Sequence, residues 1–261
     1  MKNRINGHEL GFEVLRGKGP SLLLIHGLGL DRSIWREMAE KHLRGYQVIL
    51  PDIRGHGESP ATAGMTRIED LAEDMLRLMD FLEIEKVVVG GHSMGGYIAL
   101  AMAYQHADRL AGLGLIASRA TADTPEAKHS RVKMIEEIQK RGSRVLAESL
   151  APQLSHDPHI QEKAYAIIEK TSSAGLIGAL HALAERPSRL AFLPEIPVPS
   201  QVVAGGDDQI VPLAEAKEMA RLLSNCSYLE IPAAGHTPMF ETPEILGEGL
   251  RSFIETCFPE S

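Results

Sequence analysis

The chain has 261 residues, 44% of them apolar and 24% charged, and a formal net charge of −8. That length and composition fit one globular domain, at most carrying an insertion, with core enough to fold without disulfide or metal staples. The acidic balance and the lack of any basic run argue against nucleic acid or an anionic membrane as partner, and two cysteines, Cys226 and Cys257, are too few for a disulfide scaffold or a cysteine-based zinc site.

Met1 to Val14 alternates polar and apolar residues and lacks the apolar stretch of a signal peptide. No segment approaches the roughly 18 uninterrupted apolar residues of a membrane span, so a cytoplasmic chain is expected. Two short strands around a Gly7 turn open the fold and end by Arg16, where Gly17-Lys18-Gly19-Pro20 breaks the pattern. Leu22-Leu23-Leu24-Ile25 is a continuous apolar run, the mark of a strand buried on both faces. Val48–Leu50, Val87–Val89, Leu113–Ile116 and Gln201–Ala204 repeat it.

Between these runs lie helical periods. Ile68, Leu71, Met75, Leu78, Met79 and Leu82 recur along one face, and Tyr97–Tyr104, Leu213–Leu223 and Ile245–Ile254 also read as helix. Alternating buried strand and helix predicts an α/β fold, a mostly parallel central sheet with helices on both faces. From Ala120 to Leu190 only helical patterns occur, such as Val132, Ile135, Ile138 and Ala164, Ile167, Ile168. The expected organisation is a core from residues 1–119 and 191–261, with a helical cap insertion at 120–190.

Gly91-His92-Ser93-Met94-Gly95 follows one buried strand and opens a helix. Glycines two positions either side of a serine allow a sharp, strained turn that lifts the hydroxyl above the sheet edge. The helix start offers unpaired N–H groups nearby. No lysine follows the glycines, which argues against a phosphate-binding loop. A serine hydroxyl needs a base, and of eleven histidines only His236, in Gly235-His236-Thr237-Pro238, sits in a glycine-preceded loop after the last strand. His8, His42, His106, His129 and His181 read as surface or capping residues, and a metal site at His156 and His159 carries little weight. The acid that orients His236 is Asp207 or Asp208, adjacent residues after Gly206, and the residues alone leave the choice open.

Together these segments resemble the α/β-hydrolase superfamily over nearly the whole chain, most closely its small carboxylesterase and enol-lactonase branch. His26-Gly27-Leu28-Gly29 is similar to the family's oxyanion loop, Asp52–Ser59 to the turn after the next strand, and Gly205-Gly206-Asp207-Asp208 with Val211-Pro212 to the acid loop. The resemblance implies a triad of Ser93, Asp208 and His236, the acid being chosen by its spacing from Gly205 and Pro212, with Asp207 left as a turn residue that bonds local N–H groups. It also implies an oxyanion hole from the backbone N–H groups of Leu28 and Met94. His26 is expected to stabilise its loop, and Asp52, Arg54 and Ser59 to hold a turn. His92 should point away from Ser93, and Trp35 should pack under the loop.

The expected reaction is hydrolysis of a small-molecule ester or lactone through an acyl-enzyme, with no metal or organic cofactor. Serine at the elbow argues against haloalkane dehalogenase or epoxide hydrolase chemistry. Perhydrolysis and carbon–carbon bond hydrolysis use the same triad and stay open, as does a slow-turnover ligand receptor of this fold. The insertion should roof the pocket, with apolar residues Met134, Ile138, Ile177 and Leu180 lining it and favouring small acyl groups.

Overall fold

Asn6 and Gly7, at φ 50° and 82°, close the hairpin that joins β1 (Lys2–Ile5) to β2 (His8–Leu15), a pair of positive φ values typical of tight hairpins. The computed structural model describes residues 1–62 and 66–258. Each apolar run forms a strand: β3 (Ser21–Ile25), β4 (Gln47–Pro51), β5 (Val87–His92), β6 (Leu110–Ile116) and β7 (Ser200–Gly205), with β8 (Cys226–Ile231) at the edge. The eight strands form one sheet in the order β1-β2-β4-β3-β5-β6-β7-β8. β2 runs antiparallel to β1 and β4, and the pairs from β4 to β8 are parallel.

Successive strand residues face opposite sides, which is why uninterrupted apolar runs are required. On one face Leu23, Ile25, Val87 and Val89 pack under α2 (Ile68–Phe81), α3 (Met94–His106) and α8 (Leu213–Leu222). On the other, Leu22, Leu24, Val48 and Val88 pack against α1 (Ser33–His42) and α10 (Pro243–Cys257). Sequence periodicity left α1 unassigned, although Ile34, Trp35, Met38 and Ala39 bury one face of it. Its start is held by Asp31, whose carboxylate accepts the Ser33 N–H at 2.9 Å.

Between β6 and β7 the chain forms α4 (Pro125–Arg141), α5 (Arg144–Leu154), α6 (Pro158–Lys170) and α7 (Ser173–Glu185), and no strand. Of the apolar residues that marked α4 as helical, Ile135 and Ile138 are buried while Val132 is exposed. A short helix, α9 (Pro238–Glu241), precedes α10. No helix among the described residues is long and apolar enough to cross a membrane. Burial pushes the Cys226 and Cys257 thiols up to about 11, and neither is in a disulfide.

Candidate active site

β5 ends at His92 and α3 begins at Met94, so Ser93 alone makes the turn from strand to helix. It does so at φ 52° and ψ −113°, a conformation that a non-glycine residue keeps only when its surroundings impose it. The flanking glycines are the reason. A Cβ on Gly91 would collide with the Gly95 carbonyl, and one on Gly95 with the Ile25 carbonyl. The Ser93 N–H donates to the Ile116 carbonyl at 2.9 Å, and Ser118 Oγ donates to the Ser93 carbonyl at 2.8 Å. β6 and the turn after it thereby hold the strained residue by both backbone groups.

Asp208 stands in the loop after β7 with a side chain 2% exposed. Its Oδ2 and Oδ1 lie 2.9 and 3.0 Å from His236 Nδ1, and Oδ1 also accepts the N–H groups of Ile210 and Val211 at 2.8 and 3.0 Å. Burial alone would raise its pKa, but the His236 hydrogen bond and charge and these two N–H donors hold the carboxyl below its ordinary range. An ionised carboxylate only accepts. Nδ1 therefore carries the proton and Nε2 is left free to take one. Asp207 is exposed. The local N–H groups expected at its carboxylate go to Asp208 instead, because the turn directs Asp208 back over the loop that follows.

The loop carrying His236 is fixed by residues that sequence reasoning passed over. The His236 N–H donates to the Leu154 carbonyl at 3.0 Å. Glu241 accepts the N–H groups of Gly235 and Thr237, each at 3.0 Å, and the Ser155 hydroxyl at 2.7 Å. His92 Nε2 donates to the His236 carbonyl at 2.8 Å. His92 thus braces His236 through its backbone carbonyl, a contact missing from the expectation that it merely points away from Ser93. Burial, then the charge of His236, lowers its pKa to about 3, which keeps the ring neutral. The only signal for Glu241 in the sequence was an acid five residues after a loop histidine, which is too common to single out.

Two further histidines lace the loop after β3 to the turn after β4. His26 Nδ1 donates to the Gly27 carbonyl at 2.8 Å and Nε2 accepts the Ile53 N–H at 2.9 Å. His56 Nδ1 donates to the Arg54 carbonyl at 3.2 Å and Nε2 accepts the Gly29 N–H at 3.1 Å. Each ring must be neutral to accept an amide, and burial lowers both pKa values, that of His56 to about 3. Leu28 sits inside this brace. The turn itself hangs on Asp52, which takes the N–H groups of Arg32 and Glu58 at 2.9 and 2.8 Å, and on Ser59, which donates to the Asp52 carbonyl at 2.7 Å. Arg54 reaches away to buried Asp74 on α2, at 2.7 and 2.8 Å. Trp35 is fully buried, edge-on to the His92 ring.

A cavity of about 270 Å³ opens at this edge of the sheet, and Ser93, His236, Leu28 and Met94 line it. Met94, as the first residue of α3, has an N–H with no partner inside the helix. Among the described residues no hydrogen bond links Ser93 Oγ to His236, and such contacts are often long until substrate is present. Four of the expected lining residues are elsewhere. Ile138 and Leu180 are buried in the core, Met134 packs against it, and Ile177 faces a separate depression beside Arg54 and Thr62. The cavity meets α4 in its N-terminal half, at Ala127 and Arg131, α5 at Leu150 and Leu154, and α7 at its C-terminal end, at Leu183 and at Arg186 just beyond it. Residues one or two turns away along the α4 or α7 axis are displaced by ~5–10 Å. His156 meets the Gln209 amide at 3.2 Å, and no cluster of metal-ligating groups occurs among the described residues.

The family described as alpha/beta hydrolase fold matches residues 20–159. A thermophilic esterase from Thermogutta terrifontis, with malate bound, superposes at a TM-score of 0.93, with 98% of each chain covered and 36% identity. The enol-lactonase from Burkholderia xenovorans LB400 superposes at 0.89, covering 97% of this chain and 99% of its own, with 27% identity. 3-Oxoadipate enol-lactonase 2 of Acinetobacter baylyi is 26% identical over 242 residues, 90% of this chain and 89% of that protein. The chain thus belongs to the α/β-hydrolase fold family, as a hydrolase similar to its esterases and enol-lactonases.

Proposed function

We propose that the protein is a serine hydrolase that cleaves a small carboxylic ester or lactone through an acyl-enzyme on Ser93. One observation carries the reading: a serine at positive φ shares a cavity wall with a histidine whose Nδ1 is held by a buried aspartate. Ser93 Oγ attacks the carbonyl carbon as its proton passes to His236 Nε2. The carbonyl oxygen takes the negative charge, facing the Leu28 and Met94 N–H groups. Collapse of this adduct breaks the bond to the leaving oxygen, which His236 protonates. Water, deprotonated by His236, then attacks the acyl carbon and releases Ser93.

Asp208 keeps its charge throughout and offsets the imidazolium as it forms. The brace of His26 and His56 around Leu28 supports the oxyanion assignment, since preorganised donors need no rearrangement as charge develops. Residues 120–190 act as a cap over chemistry carried by residues 1–119 and 191–261. The cavity volume favours small acyl groups, although its roof is more polar than the apolar residues expected. Ser93→Ala should abolish turnover of a short nitrophenyl ester with the melting temperature nearly unchanged. Comparable turnover by the purified variant would overturn the mechanism.

A further inference from the structure

Three arginines, Arg119, Arg131 and Arg186, stand in the cavity wall with a single cap carboxylate, Asp123. Arg119 has its own partners: its Nη1 lies 3.2 Å from Glu215, which is outside the cavity wall, and its Nη2 donates to the Ile210 carbonyl. Arg131 and Arg186 must share Asp123. Arg131 donates to it through Nε and through Nη2 at 3.2 Å, and Arg186 through Nη1 at 2.6 Å. Two guanidinium groups on one carboxylate leave one positive charge unmatched. The Arg186 side chain is 3% exposed, and its Nε is a buried donor without a partner. Nature rarely leaves such a group unsatisfied.

The position relates this charge to the nucleophile. Arg186 lies over the Tyr97 ring, 4.2 Å from its centroid, and Tyr97 is one turn of α3, ~6 Å along the axis, beyond Ser93. Asp208, the other acid nearby, is already engaged by His236, Ile210 and Val211. Burial works against ionised Asp123, but the hydrogen bonds and charges of Arg131 and Arg186 hold it below the ordinary carboxylate range. It is therefore a fixed acceptor that aligns both forks. We propose that Arg131 and Arg186 form a carboxylate-binding subsite, so that the preferred substrate is a short ester or lactone bearing a second, ionised carboxyl group. This deepens the serine-hydrolase reading and rests on it. Guanidinium forks match carboxylate geometry and bind it through charge-assisted hydrogen bonds.

The test compares monomethyl glutarate with its neutral isostere, the monomethyl monoamide of glutaric acid, at neutral pH. Wild-type kcat/KM should favour the half-ester by about tenfold or more, the scale of a charge-assisted hydrogen bond. Arg131→Met and Arg186→Met should bring the ratio towards unity, mainly through KM, whereas Arg119→Met should keep it. A wild-type ratio at or below unity, or an unchanged ratio in the folded Arg131 and Arg186 variants, would overturn the proposal. Should both variants fail to fold, glutarate must still compete with a neutral ester on the wild type, and absence of competition would overturn it. Calorimetry of glutarate with Ser93→Ala separates the two readings. Turnover retained by that variant sinks the nucleophile, while binding without turnover supports both.

Discussion

At the sheet edge, Gly91, Ser93, Asp208 and His236 occupy positions to which the backbone admits few alternatives; on α4 and α7, the residues that reach the cavity depend on where along each helix axis the opening falls. Ser93 is held at φ 52° by its flanking glycines, by the Ile25 carbonyl packed against Gly95, and by backbone bonds to Ile116 and Ser118. Arg131 faces the cavity and Met134 does not, although both lie on one stripe of α4. Local geometry therefore sets the chemical end of the cavity, and packing between distant segments sets its selective end. Substitutions in the first region should change rate by orders of magnitude, and those in the second should change preference or stability.

The largest effect is expected at Asp208. Asp208→Asn should lower turnover by roughly 10,000-fold, the loss seen when the same change misorients the histidine of a serine protease. Asp207→Asn, exposed and outside that contact, should cost far less. Measuring both on one ester checks this, and the reverse ranking would refute the assignment. Next comes the packed interior of the helices between β6 and β7. Leu180→Ala should cost about 2–5 kcal/mol of stability and leave the acyl-length profile intact. Leu150→Ala, which enlarges the cavity wall, should shift that profile towards longer acyl groups. Urea melts and a panel of nitrophenyl esters read the two outcomes, and an exchange of roles would erase the distinction between buried helix interior and cavity wall.

Glu241 sits between the two regions, since it ties the His236 loop to Ser155 at the end of α5. Glu241→Ala leaves those donors unmatched and should cost on the order of 3 kcal/mol, with a lower kcat as His236 loses its fixed loop. A variant with normal kcat would show that Leu154 and His92 suffice to hold the His236 loop.

The gentlest effect is a slope with pH. His56 and His92 have native pKa values of about 3, against an ordinary 6.5, and His26 is lowered too. Between those limits the unfolded chain binds protons that the native protein excludes, so stability is lost as pH falls below 6.5. Each histidine contributes about 1.4 kcal/mol per pH unit. Asp123 and Asp208 are also lowered, and their contribution persists until pH drops below the ordinary carboxylate range. Urea midpoints should therefore decline from pH 6.5 downward, and a flat profile would contradict neutral, amide-accepting rings.

Much of the fold was legible because strands buried on both faces require unbroken apolar runs, and five such runs appear as β3 to β7. α1 was harder to read because its buried face is short and Asp31, whose carboxylate accepts the Ser33 N–H at its start, lies outside the periodic stretch. Within the candidate site, the choice of Asp208 over Asp207 came only from the family resemblance, whereas the elbow around Ser93 and the loop bearing His236 were readable from glycines and their place in the chain. Those features act over a few bonds, and chain order preserves them. Contacts closed across long separations were not readable: Glu241 on the His236 loop from Ser155, His92 on the His236 carbonyl, and Arg186 sharing Asp123 with Arg131. A carboxylate or guanidinium announces its charge in the sequence but not its partner. The glycines that permit the turn at Ser93 stand in the chain itself and take effect within a few bonds, and only the packing of α4, α5 and α7 over the sheet decided which side chains face the cavity.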